Sequence, residues 1–232
     1  MTKQLRSIYL GLLGFALSLA SVSVAFAQDA ADPWQKEIAA LVAGDAANPP
    51  PQHAVLFVGS SSIRLWTTLA QDFPGIPTIN RGFGGSRIAD STRYAARIVV
   101  PYHPNVIVLY AGDNDIAEHR TSSQAIDDFE AFVARVRRDL PQVAIVFVSI
   151  KPSVSRAASW PQMRAANEGI AAWAKTQTKV IYLDVASKML DTDGKPRPEL
   201  LREDGLHMTP AGYAIWIAAL KPVLAQYGFA SR

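Results

Sequence analysis

The chain has 232 residues, 49% of them hydrophobic, with 23 Lys and Arg against 20 Asp and Glu and no cysteine. Without cysteine, disulfides and a lipid-modified N-terminal cysteine are excluded, and stability must come from core packing. The charges are interspersed and nearly balanced despite a pI of 9.2, so nothing calls for nucleic acid or an anionic membrane surface as partner.

In chain order, the first segment is MTKQLRSIYLGLLGFALSLASVSVAFAQDA. Lys3 and Arg6 precede an apolar run that ends in Ala25-Phe26-Ala27. This is the layout of a secretory signal peptide over residues 1–27, with cleavage expected near Ala27. It predicts export to the periplasm or medium, with no stable membrane anchor once the leader is removed. A short helix is expected around Trp34 to Val42, stopped by Gly44 and the NPPPQ run, so residues 28–52 read as an entry segment. Residues 53–232 then read as one domain.

Within that domain, apolar runs and helical patterns alternate. VLFVG (55–59) reads as a strand and IRLWTTLAQDF (63–73) as a helix. TIN (78–80) is a weak strand, followed by RGFGGS and a helix from Ile88 to about Val100. VIVLY (106–110) is a strand. The segment 121–140 carries Ile126, Phe129, Phe132, Val133 and Val136 at helical spacing. VAIVFVSI (143–150), a helix near 161–175, KVIYLDV (179–185) and a helix from Pro210 to about Gln226 complete the series. Continuous apolar strands are covered on both faces, which predicts an α/β fold: a three-layer α/β/α sandwich around a five-stranded parallel sheet. In such sheets the ligand crevice lies beyond the carboxyl ends of the strands.

Four strand-end segments therefore matter most. Gly59-Ser60-Ser61-Ser62 puts hydroxyls at a helix start, where they either cap the helix or supply a nucleophile. In Asn80-Arg81-Gly82-Phe83-Gly84-Gly85-Ser86, the glycines either offer backbone amides to a ligand or make a tight turn. G-x-G-x-x-G fails, because its last position is Arg87. In Gly112-Asp113-Asn114-Asp115, the amide of Asn114 is a neutral donor suited to an oxyanion, or a turn residue. In Asp204-Gly205-Leu206-His207, an acid stands three residues before an imidazole, just ahead of a helix start at Thr209-Pro210. His53 and His103 read as loop residues, and His119, after the Asn114 loop, as a loop residue placed where it could border the pocket. Asp191-Thr192-Asp193-Gly194 reads as a turn, and Trp160, Trp173 and Trp216 as mostly core.

Taken in order, GSSS, NRGFGG, GDND and DGLH resemble the four blocks of the SGNH hydrolases, the GDSL-type esterases and lipases, from Val55 to about Leu224. The resemblance implies that family's flavodoxin-like sandwich. It maps the nucleophile to Ser61, the acid and base to Asp204 and His207, and the oxyanion donors to the amides of Ser61 and Gly85 and the side chain of Asn114. Ser60 stands where the family usually has aspartate. No cofactor and no metal is implied. The expected activity is hydrolysis of carboxylic esters, with small-molecule, carbohydrate or lipid esters as substrates. Acetyl esters of carbohydrates or small alcohols come first, because no insertion resembles a lid. A lysophospholipase or lipase of the same superfamily, and a non-catalytic extracellular binding module on the same fold, are the alternatives.

Overall fold

The computed structural model describes residues 32–229. The predicted signal peptide and its cleavage site lie outside them. Five strands, β1 (Val55–Gly59), β2 (Thr78–Gly82), β3 (Val106–Tyr110), β4 (Ala144–Val148) and β5 (Val180–Leu183), form one parallel sheet in the order β2-β1-β3-β4-β5. Val55 pairs with Thr78 on one side and Val106 on the other, so β1 and β3 sit side by side at the centre.

Among the described residues the α-helices are α1 (Gln35–Ala47), α2 (Ser61–Arg64), α3 (Leu69–Asp72), α4 (Ile88–Ile98), α5 (Asp113–Ala117), α6 (Ser122–Asp139), α7 (Trp160–Ala174) and α8 (Pro210–Ala225). The two-residue period of the strands sorts the core into two halves. Leu56, Val58, Ile107, Leu109, Ile145 and Phe147 face α1, α4, α6 and α7. Val55, Phe57, Val106, Val108, Val146 and Val148 face α2, α3 and α8, where Trp66 and Trp216 are buried. This is the expected three-layer sandwich, and residues from Pro33 onward form one compact unit. No described helix is long and apolar enough to cross a membrane.

Three elements differ from the sequence expectation. Helix α1 runs through Gly44 to Ala47, because Ile38 is buried in the core and Asp45 is held by Arg81 (2.5 Å) and the Tyr102 hydroxyl. The helix expected over 63–73 is split into α2 and α3. Between them, the Trp66 indole N–H and the Thr68 hydroxyl both donate to Asp72, a local network that replaces the continuing helical ladder. The weak TIN strand extends to Gly82, paired residue for residue with β1. Elsewhere the signals act as read: Thr121 and Gln124 form a reciprocal cap on α6, and Thr209 accepts from the Gly212 amide ahead of Pro210. Asp191 accepts from the amides of Asp193 and Lys195, making the expected turn. Trp216 is fully buried, while Trp160 and Trp173 pack partly buried against the core.

Candidate active site

The strand order reverses between β1 and β3, which opens a crevice at their carboxyl ends. Ser61 leaves β1 as the first residue of α2, and Asn114 leaves β3 on α5. The Asn114 segment is thus a short helix rather than the turn considered above, entered through Gly112.

Two close approaches fix the serine. A Cβ on Gly82 would lie 2.1 Å from the Arg64 amide nitrogen and 2.7 Å from the Ile63 carbonyl carbon, so β2 can sit against α2 only without a side chain there. Next to it, the Asn80 amide donates to the Ile63 carbonyl at 2.7 Å. Of the three serines, Ser60 and Ser62 are buried, and Ser61 alone faces the imidazole at 207.

That imidazole arrives on the loop before α8. His207 Nε2 lies 2.9 Å from Ser61 Oγ, and Nδ1 lies 2.6 Å from Asp204 Oδ2. The other Asp204 oxygen accepts from the amides of Leu206 (2.8 Å) and His207 (2.9 Å). The bond with His207 and these two amides hold the Asp204 carboxyl well below the usual carboxylate range. An ionised Asp204 accepts a hydrogen bond from His207 Nδ1–H, which leaves Nε2 to accept from the Ser61 hydroxyl.

On the other side of the crevice, Gly85 has φ +75°, a conformation that suits glycine. Among the described residues, the amides of Ser61 and Gly85 meet no hydrogen-bond acceptor. The Asn114 side chain donates from Nδ2 to the Ser86 carbonyl at 3.0 Å and accepts at Oδ1 from Arg156 Nη2 at 2.8 Å. Ser61, Gly85, Asn114 and His207 line one open cleft of ≈ 340 Å³ together with Glu37, Arg64, Gly84, Arg156 and Leu206. All five residues singled out from the sequence as nucleophile, base, acid or oxyanion donor therefore gather at one place. Asp204 does not line the cleft itself and reaches it through its contact with His207.

His119 is not among the residues that line the cleft, and His103 lines a hollow of ≈ 470 Å³ at the opposite ends of the strands. Among the described residues, no three His, Asp or Glu side chains gather as metal ligands.

The chain matches the model of the GDSL-like Lipase/Acylhydrolase family over residues 26–215. It belongs to that family. This GDSL-like protein is accordingly a carboxylic ester hydrolase. Its fold is shared with a GDSL-like lipase from Bacteroides thetaiotaomicron VPI-5482 (21% identity, TM-score 0.72, covering 82% of this chain and 97% of that one). It is shared also with an acetyl esterase solved with an acetate ion (20%, TM-score 0.60, 75% and 96%). A third match is an acetyl xylan esterase from Geobacillus stearothermophilus (17%, TM-score 0.57, 78% and 97%). At these identities the likeness is one of fold. No curated protein sequence matches the chain.

The sequence reading missed four residues of the GDSL-like site. Trp34 and Glu37, at the start of α1, donate to the Gly84 carbonyl (2.7 Å) and accept from the Gly84 amide (3.4 Å), so the entry segment builds one wall of the cleft. Arg64 follows the nucleophile candidate by three residues and lies 3.7 Å from Glu37. Arg156 comes from the connection after β4, which the topology marks for inspection but which carries no motif.

Proposed function

We propose that the protein is an exported serine esterase acting by a Ser61-His207-Asp204 triad. The supporting observation is the 2.9 Å contact between His207 Nε2 and Ser61 Oγ, made across 146 residues of sequence. In the proposed mechanism Ser61 attacks the ester carbonyl while His207 accepts its proton, and Asp204 holds the imidazole in one tautomer and stabilises its cation. The amides of Ser61 and Gly85 and the Asn114 side chain receive the oxyanion. His207 then protonates the leaving alcohol, and water repeats the sequence on the acyl-enzyme to release the acid and free Ser61. Export rests on the signal-peptide pattern of residues 1–27, with the mature protein beginning near Gln28.

The substrates we propose are short-acyl esters, acetyl first, on carbohydrates or small alcohols. The cleft is open, and the fold resemblances include acetyl esterases. The test is a chain-length series of p-nitrophenyl esters beside acetylated sugars, on the protein beginning at Gln28. kcat/KM should be greatest at acetate and fall steadily with chain length. A maximum at octanoate or beyond, or preferential release of fatty acid from lysophospholipid, would replace this reading with a lipase.

A further inference from the structure

Asn114 carries chemistry only if its amide faces the right way, and an amide has two nearly isosteric orientations. Here both ends are held. Nδ2 gives one hydrogen to the Ser86 carbonyl, and Oδ1 receives a hydrogen from the Arg156 guanidinium. Flipping the group would set carbonyl against carbonyl at Ser86 and N–H against N–H at Arg156. The observed arrangement leaves the second Nδ2 hydrogen for the cleft that Asn114 lines.

We infer that Arg156 is a positioning residue for the oxyanion donor Asn114, an inference that rests on the esterase reading above. Its hydrogen bond to Oδ1 is charge-assisted, which makes it stronger than a neutral one and draws electron density from the amide that must donate to the oxyanion. Arg156 is itself braced. Its Nη1 lies 3.3 Å from the buried Asp113 carboxylate, and Lys151 Nζ lies 3.8 Å from the same oxygen. Lys151 is completely buried and donates to the Leu206 carbonyl at 2.7 Å, one residue before His207. The amide of Ser155 donates to the Gly205 carbonyl at 3.1 Å. The connection after β4 thus ties the oxyanion side of the cleft to the loop that carries the base, and Arg156 is the tie that reaches the oxyanion donor.

The test is a double-mutant cycle of Arg156→Ala and Asn114→Ala on p-nitrophenyl acetate, with Arg156→Lys as the conservative variant. Arg156→Ala should lower kcat by about ten- to a hundredfold and leave KM within about twofold, a loss smaller than deleting the donor itself. Arg156→Lys should recover part of that loss. In the Asn114→Ala background, removing Arg156 should cost less than about threefold, because its effect passes through the amide. Melting curves identify folded variants, and if Arg156→Ala does not fold, Arg156→Lys takes its place in the cycle with a smaller expected loss.

An unchanged kcat in a folded variant would overturn the inference while leaving the esterase reading standing. So would an equal loss with and without Asn114, or a loss confined to KM. A wild-type protein with no turnover and no serine labelling would end both.

Discussion

Gly82→Ala tests how the serine is placed. The new methyl would stand 2.1 Å from the Arg64 nitrogen and 2.8 Å from the Arg64 Cα, all backbone of α2. Ordinary contact begins at about 3.4 Å, so strand or helix must yield by about 1.3 Å, at a stability cost of about 1–3 kcal/mol. Ser61 begins that same four-residue helix. A shift of that size is what separates a 2.9 Å hydrogen bond to His207 from a broken one. Misplacing a reacting group by about 1 Å costs about 10²-fold, so kcat on p-nitrophenyl acetate should fall by that order, with a lower melting temperature. Gly84→Ala is the control. The three atoms nearest its Cβ all belong to the end of the flexible Arg64 side chain, from 2.9 Å, and turnover should stay within about threefold. Wild-type turnover and melting in Gly82→Ala, or equal damage from Gly84→Ala, would refute the reasoning.

Asn114→Ala should reduce kcat by about 10²–10³-fold with KM little changed, read from steady-state kinetics. Asp204→Asn should lower kcat by about 10³–10⁴-fold, because the neutral amide no longer fixes the Nδ1-protonated tautomer. Asp115 concerns stability rather than turnover: its carboxyl is fully buried, and burial pushes it up to about 7 despite the hydrogen bonds from the Ile88 amide. The folded state therefore keeps a proton that the unfolded chain releases near pH 4, and stability falls as pH rises between about 4 and 7, by a few kcal/mol at most. Urea unfolding at pH 5 and pH 8 should show that fall in the wild type and a much smaller one in Asp115→Asn.

Four of the five strands were legible because each is a continuous apolar run, and such runs imply a sheet covered twice; β2, broken by Asn80 and Arg81, was marked only weakly. The five candidate site residues were legible because each lies in a short block at a strand end or just before a helix, and the resemblance of those blocks to the SGNH hydrolases gave each its role. What escaped was set by contacts across the chain. Nothing near Gly44 announces that Asp45 will meet Arg81 and carry α1 onward. Nothing in the TT pair of IRLWTTLAQDF shows that Asp72 will fold back on Trp66. Arg156 has no motif, since its role lies in one bond to a residue 42 positions away. Among GSSS, local chemistry left three hydroxyls equivalent; the resemblance singled out Ser61, and His207 arrives at that same hydroxyl.

The central claim is that Ser61 is the nucleophile and His207 its base. The most direct measurement is peptide mapping after reaction with a serine-directed fluorophosphonate, in the wild type and in His207→Ala. The account predicts a single adduct on Ser61, none on Ser60 or Ser62, and labelling abolished without the imidazole. An adduct on another serine, or undiminished labelling of His207→Ala, would contradict it.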